Sequence, residues 1–358
     1  MLTIGVDAHK RVHEAAALDA AGQLVGRQRV PNSAAGWWEL LAWAASLGAA
    51  APRRWGIEGA WGYGRGLAQH LVAAGEAVSE VSPRWTAEAR KSARKPGKSD
   101  ALDALAVARL VLGEAATLPV VGAEDETAVL DLLPTERDAA GAAGTRLRNQ
   151  LHALLLQLAP DYRAHLPGLA TKAGLAAVEG YTTASPRALD QERAAAVRRL
   201  AQRLRLVVEQ TAELARQIGA RVQTGFMALT RLCGVSLLTA GALAGLLGPG
   251  QRFATDAQLA AYAGVAPLEA SSAGRVRHRL NRGGNRRLNA ILYRIAVTQA
   301  GASARAKAYL ARRAAEGKSR REARRALKRH LARAIWRLWQ ECRPASAGTD
   351  LREAPAAA

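Results

Sequence analysis

The chain has 358 residues, 51 Lys and Arg against 30 Asp and Glu, and a formal net charge of +21. Apolar residues make up 49%, which excludes a mainly disordered chain, and the length predicts two or three domains. Aromatics are only 4%, so the cores must be built from Ala, Leu and Val. The pI of about 11.1 points to a polyanionic partner, nucleic acid or an anionic membrane surface, although an Arg- and Ala-rich proteome would supply part of the excess. Two cysteines, Cys233 and Cys342, cannot alone make a disulfide framework or a four-ligand zinc site, and they fit a reducing, cytoplasmic location. The start, Met1 to Asp7, lacks a signal-peptide layout. The long uncharged stretch Leu232 to Gly248 is short for a membrane span and reads as a buried helix pair, so no membrane partner is expected.

Residues 1–118 read as alternating strands and helices. Leu2 to Val6, Val12 to Leu18 and Leu24 to Val30 predict a three-stranded antiparallel meander, with Ala20 to Gln23 as one turn. Ser33 is placed to cap a helix carrying Trp37, Trp38, Leu40 and Leu41. Trp55 to Glu58 predicts a fourth strand, a helix through Leu67 and Leu71 follows, and Ala77 to Val81 predicts a fifth strand. This β-β-β-α-β-α-β order is that of an RNase H-like α+β fold. A basic connector holding Lys91, Arg94, Lys95 and Lys98 around Pro96-Gly97 comes next. Ser99 then caps a helix from Asp100 to Leu112.

From 119 to 225 long Ala/Leu/Arg-rich helices take over. Leu147, Leu151, Leu154, Leu155 and Leu158, and again Val197, Leu200, Leu204, Val207 and Val208, fall at helical spacing and predict a coiled-coil-like hairpin, interrupted between Pro160 and Pro186. Residues 226–343 read as all-α. Leu232 to Ser236 with the following apolar run resembles a helix-hairpin-helix turn, with Ser236 in place of the second glycine. From Arg275 to Arg343 roughly twenty cations face three acids, Glu316, Glu322 and Glu341, an imbalance that favours nucleic acid over a merely solvated face. Residues 344–358 read as a disordered tail.

Four carboxylates stand out. Asp7 ends the first strand and Glu58 the fourth, which are neighbours in this fold, and Asp100 and Asp103 share one helix face at i, i+3. Carboxylates that converge cannot all stay ionised without a cation, and hard oxygen ligands suit Mg²⁺ or Mn²⁺. Each has a plainer reading as well: Asp100 as a helix-start charge, Asp103 as a surface residue, Asp7 and Glu58 as polar strand ends. Downstream, Ser271-Ser272 lies in a small-residue turn before Arg275, Arg277, His278, Arg279, Arg282, Gly283-Gly284-Asn285, Arg286 and Arg287. Such a turn could bind phosphate through a serine hydroxyl, or could present a nucleophile; the residues alone favour phosphate binding.

The opening Asp7-Ala8-His9-Lys10, Glu58 after an apolar strand, and Lys98-Ser99-Asp100-Ala101-Leu102-Asp103-Ala104 resemble the Asp-Glu-Asp-Asp domain of the Piv/MooV-type transposases, the insertion sequence 110 family. Gly264-Val265-Ala266-Pro267, the two serines and Arg277-His278-Arg279-Leu280-Asn281-Arg282-Gly283-Gly284-Asn285-Arg286 resemble that family's C-terminal domain. The resemblance implies a RuvC-like DEDD domain (1–118), a coiled-coil spacer (119–225) and a serine-bearing transposase domain (226–343). It implies that Asp7, Glu58, Asp100 and Asp103 bind the divalent metal and that a serine attacks DNA, forming a phosphoserine link on the way to strand exchange through a Holliday-junction-like state. It further implies a bridge RNA that pairs with donor and target DNA. Because the serine and the carboxylates fall in different domains, the two must meet on DNA, within one chain or across a homo-oligomer (dimer or tetramer), and the helical spacer favours assembly in trans; the expected location is nucleoid-associated. The family pattern has Gly directly after the second serine; here Ala273 intervenes before Gly274. Spacing from Pro267 aligns the nucleophile to Ser272, with Ser271 as the alternative. A site-specific invertase of the same class, or a metal-dependent junction nuclease, are the competing activities.

Overall fold

The computed structural model describes residues 1–48, 52–83, 85–86, 100–249, 252–269, 278–279, 281 and 283–342. Lys91, Arg94, Lys95, Lys98 and Ser99 of the connector, Ser271, Ser272, Arg275, Arg277 and Arg282 of the downstream turn, and the expected tail lie outside the described residues.

Strands β1 (Leu2–Ala8), β2 (Val12–Leu18), β3 (Leu24–Pro31), β4 (Arg53–Glu58) and β5 (Ala77–Val81) alternate with helices α1 (Ala34–Ser46) and α2 (Arg65–Ala73) in the order the residues predict. The sheet runs β3-β2-β1-β4-β5. The first three strands are antiparallel neighbours, while β4 lies parallel to β1 and β5 parallel to β4. The parallel pairs require crossovers, which α1 and α2 supply. Ser33 caps α1 as expected, its hydroxyl accepting from Gly36 N–H.

Strand periodicity sorts the faces of β1. Ile4 and Val6 pack with Leu40, Leu67, Leu71, Trp55 and Ile57 on the α1/α2 side. On the other face stands α3 (Asp100–Glu114), whose Ala104, Leu105 and Ala108 pack with Ala16 and Leu18. Fully burying each of these larger side chains contributes about 1.5–3 kcal/mol, so the central strand is the best-anchored part of the sheet. Gly5 and Gly56 let α3 approach closely: a Cβ on Gly5 would overlap the Ala104 and Ala108 backbone, and one on Gly56 would overlap Val111.

The chain divides into two compact units, one built from 1–128, 228–235 and 246 onward, the other from 129–227 and 236–245. The second contains most of α4 (Glu126–Leu158), then α5 (Tyr162–His165), α6 (Lys172–Glu179) and α7 (Ala188–Gly225). Its core joins Leu151 and Leu155 to Val197, Ala201 and Leu204, with Leu147, Leu154, Leu158 and Leu200 partly buried around it. Val208, expected on the same stripe, is exposed; it directly follows Val207, and neighbours one residue apart point away from each other on a helix. After a 3₁₀ turn (Met227–Arg231) comes α8 (Leu237–Leu247). No described helix is long and apolar enough to cross a membrane.

In the first unit the C-terminal part comprises α9 (Asp256–Tyr262), α10 (Arg286–Ala302), α11 (Ala304–Ala315) and α12 (Arg320–Cys342). The all-α expectation needs one correction. A two-residue antiparallel pair, β6 (Leu268–Glu269) with β7 (His278–Arg279), brackets the sequence segment that holds the two serines. Pro267 stops any helix before it, and two-residue strands leave no apolar alternation to recognise.

Candidate metal centre

The geometry of the acidic site follows from strand pairing. Asp7 is in register with Glu58 across the parallel β1/β4 ladder. It lies two residues beyond Gly5 on the face that α3 covers, as Glu58 lies two beyond Gly56, so both carboxylates are carried toward the first turn of α3. That turn begins with Asp100 and includes Asp103. Asp7 and Asp103 are 6% and 5% exposed, whereas Asp100 is open to solvent.

A fifth group stands among them. His9 Nε2 lies 3.1 Å from Asp7 Oδ2 and 3.5 Å from Asp100 Oδ1. Asp7, His9 and Asp100 each offer a ligand atom, and the three atoms lie within 4.8 Å of one another. Glu58 and Asp103 are outside that tight trio, although the charge of Asp103 is felt at Asp7. Burial raises the Asp7 carboxyl above the ordinary value of 3.8, with the Asp103 and Asp100 charges adding to the rise and His9 opposing it. The loop that presents His9 is held by Asn32, whose Nδ2 donates to the Lys10 carbonyl at 3.3 Å and whose Oδ1 accepts from Trp37 Nε1 at 3.2 Å. In the Asp7-Ala8-His9-Lys10 motif no role attaches to His9 from the sequence alone. Its spacing of two from Asp7, at the end of a strand, is the signal that could have assigned one.

Of the expected nucleic-acid contacts within the described residues, Arg279, Arg286 and Arg287 are all exposed. Further along, part of the basic run is committed internally. Arg329 and Arg333 both bind Asp256, at 2.8 and 3.1 Å, and Lys328 is buried with its Nζ donating to Asn289 Oδ1.

A five-stranded RNase H-like sheet with acidic residues gathered at the ends of its two central strands, followed by a basic helical region, defines the class. A family model for IS110-type DEDD transposases, described as a transposase, matches residues 4–160, and a second, the transposase IS116/IS110/IS902 family, matches 227–311. An insertion element IS110 protein of 43.6 kDa from Streptomyces coelicolor is 30% identical over 269 residues, covering 63% of this chain; the chain spans 66% of that protein's length. Among solved structures, T. thermophilus RuvC in complex with a Holliday junction substrate aligns with 34% of this chain and 99% of its own, at 16% identity and a TM-score of 0.27. The chain belongs to the IS110 family of DEDD transposases.

Proposed function

We propose that this chain is the DNA recombinase of an insertion sequence, cutting and rejoining DNA through a serine nucleophile beside a divalent-metal site. The observation that carries the reading is the convergence of Asp7, His9 and Asp100 at the C-terminal end of β1, with Asp103 and Glu58 adjoining. The donor set suits a hard divalent cation: an aspartate whose affinity for protons is raised by burial and by neighbouring carboxylates is a group that a cation would serve in place of the proton. Asp7, Glu58, Asp100 and Asp103, with His9, would hold Mg²⁺ or Mn²⁺, which supplies charge stabilisation for the attacking and leaving oxygens of a phosphodiester.

The chain's own contribution is a hydroxyl and a basic surface. Ser272 Oγ attacks phosphorus, an Oγ–P bond forms, a sugar O–P bond breaks, and the sugar oxygen takes up a proton as the DNA stays joined to the protein; the reverse step rejoins strands. Arg279, Arg286 and Arg287 bind the backbone, together with Lys91, Arg94, Lys95, Lys98, Arg275, Arg277 and Arg282. A bridge RNA that pairs with donor and target is proposed as the guide. A homo-oligomer is proposed as the working form.

Trapping the protein–DNA adduct and mapping the linked peptide tests the nucleophile. The adduct is expected in the wild type and in Ser271→Ala and is lost in Ser272→Ala. An adduct lost only with Ser271→Ala moves the role one residue upstream, and one that survives both removes it from this turn. Sequencing RNA that co-purifies with the protein tests the guide.

A further inference from the structure

Away from the carboxylates, Arg252 is a charged side chain only 4% exposed, just before α9. Its Nη2 donates to Glu80 Oε2 at 2.6 Å and to the Tyr262 hydroxyl at 2.9 Å, and its Nη1 donates to the Leu246 carbonyl at 2.9 Å. The rings of Tyr262, Trp61 and Phe253 surround the guanidinium at 4.7, 4.9 and 5.2 Å. Trp61 Nε1 donates to the same Glu80 oxygen at 3.1 Å. Burial alone would lower the pKa of this guanidinium; Glu80 and Tyr262 outweigh it and hold the group charged. The backbone is fastened at the same place. Val120 N–H donates to the Arg252 carbonyl, and the segment around Val120 is itself bonded to β5 through Glu80 N–H to Pro119 and Val121 N–H to Val78. One end of the network is therefore β5 and the turn that follows Glu58, three residues before Trp61.

Its other end is the pair of segments that flank the two serines. The Tyr262 hydroxyl also accepts from Asn285 Nδ2 at 2.9 Å, and Asn285 N–H donates to the Tyr262 carbonyl at 2.6 Å. Asn289 Nδ2 donates to the Ala263 carbonyl at 2.8 Å, and the buried Lys328 fixes Asn289 from behind. Gly264, at φ +67°, lies against Gly284 so closely that a Cβ on Gly284 would overlap the Gly264 backbone. These contacts pin 261–264 to 284–289, the segments leading into and out of the β6–β7 stem. Apolar packing alone is less directional than hydrogen bonding. A planar fork with three oxygen acceptors, inside an aromatic box, permits one orientation.

We propose that Arg252 is a positioning residue of the recombination reaction: with Glu80, Tyr262 and Asn285 it locks 261–264 and 284–289, which flank the segment bearing the two serines, onto strand β5, so that these flanking residues and strand β5 of one chain keep a fixed geometry. The inference rests on the recombinase reading for its chemical readout. Arg252→Lys keeps the charge and cannot reach three acceptors; Tyr262→Phe keeps the ring and loses only the hydroxyl. Each full-length variant, loaded with the RNA that co-purifies with the wild type, is assayed for strand cleavage, under single-turnover conditions with Mg²⁺, on a supercoiled plasmid carrying the DNA that flanks this chain's own coding sequence. Affinity for the same DNA and backbone amide exchange are measured in parallel.

Cleavage is expected to slow on the order of 10–100-fold in both variants, the scale of a small misplacement of reacting groups. DNA affinity stays within about twofold, and the double variant is no slower than Arg252→Lys by more than about twofold, because both break one link. Amides of 261–264 and 284–289 exchange faster, while those of β1 and β4 do not. Wild-type cleavage rates in both variants would overturn the proposal, as would a rate loss matched by an equal loss of affinity. If Arg252→Lys loses its folded circular dichroism signal, Tyr262→Phe decides alone. If the wild type does not cleave, the recombinase reading fails, and the amide exchange still judges whether the lock exists.

Discussion

Asp7 sits where burial and neighbouring carboxylates oppose its ionisation, and that fixes the sign of two effects. A carboxyl whose pKa is raised in the folded state contributes stability below its unfolded value and loses it as pH climbs through the raised value. The metal-free protein should therefore lose this contribution as pH rises from about 3.8, the ordinary value, through the raised value in the fold. Asp7→Asn in EDTA should flatten that decline and melt higher than the wild type near neutral pH, while abolishing strand cleavage and leaving DNA affinity unchanged. Thermal melts across pH with and without Mn²⁺ check it: Mn²⁺ should raise the wild-type melting temperature and not that of Asp7→Asn. His9 gives a second prediction. Groups that merely orient a metal ligand cost about 10–100-fold in affinity when removed, so His9→Ala should weaken Mn²⁺ binding, read by calorimetry, by at least about tenfold. Unchanged affinity would remove His9 from the site, both as a ligand and as the group that orients Asp7. Asp7 was legible because a lone acid closes an apolar strand. His9 was less so because only the folded turn brings its Nε2 back onto Asp7 and Asp100.

At the scale of elements, the proposed metal centre depends on how closely α3 lies on β1 and β4. Gly5→Ala would push a methyl into the Ala104 and Ala108 backbone, which has no flexible side chain to yield. Overpacking of this kind costs about 1–3 kcal/mol, and more where backbone must move. The displaced α3 carries both Asp100 and Asp103, so the variant should lose Mn²⁺ affinity along with stability; chemical denaturation and metal titration check the pair. If stability falls while metal affinity holds, the site is less dependent on this contact than the geometry indicates. The five strands and their order could be read from apolar runs and turn residues, since each signal is local. The glycine contacts could not, because Gly5 in a strand reads only as a weak former until the helix that needs the space is known. The same holds for β6–β7, too short to carry a period, and for Arg252, one of many arginines in the sequence, whose burial depends on partners as distant as Glu80 and Trp61.

For the whole molecule, the +21 charge is not all available to a partner. Arg329 and Arg333 share Asp256 at the start of α9, and Lys328 is buried against Asn289, whereas Arg279 and Arg286 stand exposed on either side of the Gly283-Gly284 turn. A count of charges along the chain cannot separate these classes, because pairing is decided by which helices pack: α9 lies against α12. Two kinds of arginine should then respond differently to removal. Log affinity for a DNA duplex should fall with log salt by a slope of roughly −0.9 per phosphate neutralised, and Arg279→Ala and Arg286→Ala should each make that slope shallower by about 1. Arg329→Ala or Arg333→Ala should leave the slope unchanged and lower stability by about 1 kcal/mol, since the pairs are partly exposed. Fluorescence anisotropy over a salt series, paired with thermal melts of the same four variants, separates the two. If the slope moves with Arg329 and Arg333 instead, the Asp256 pairs open to reach DNA, and the basic face of the protein extends over α12 rather than ending at α10.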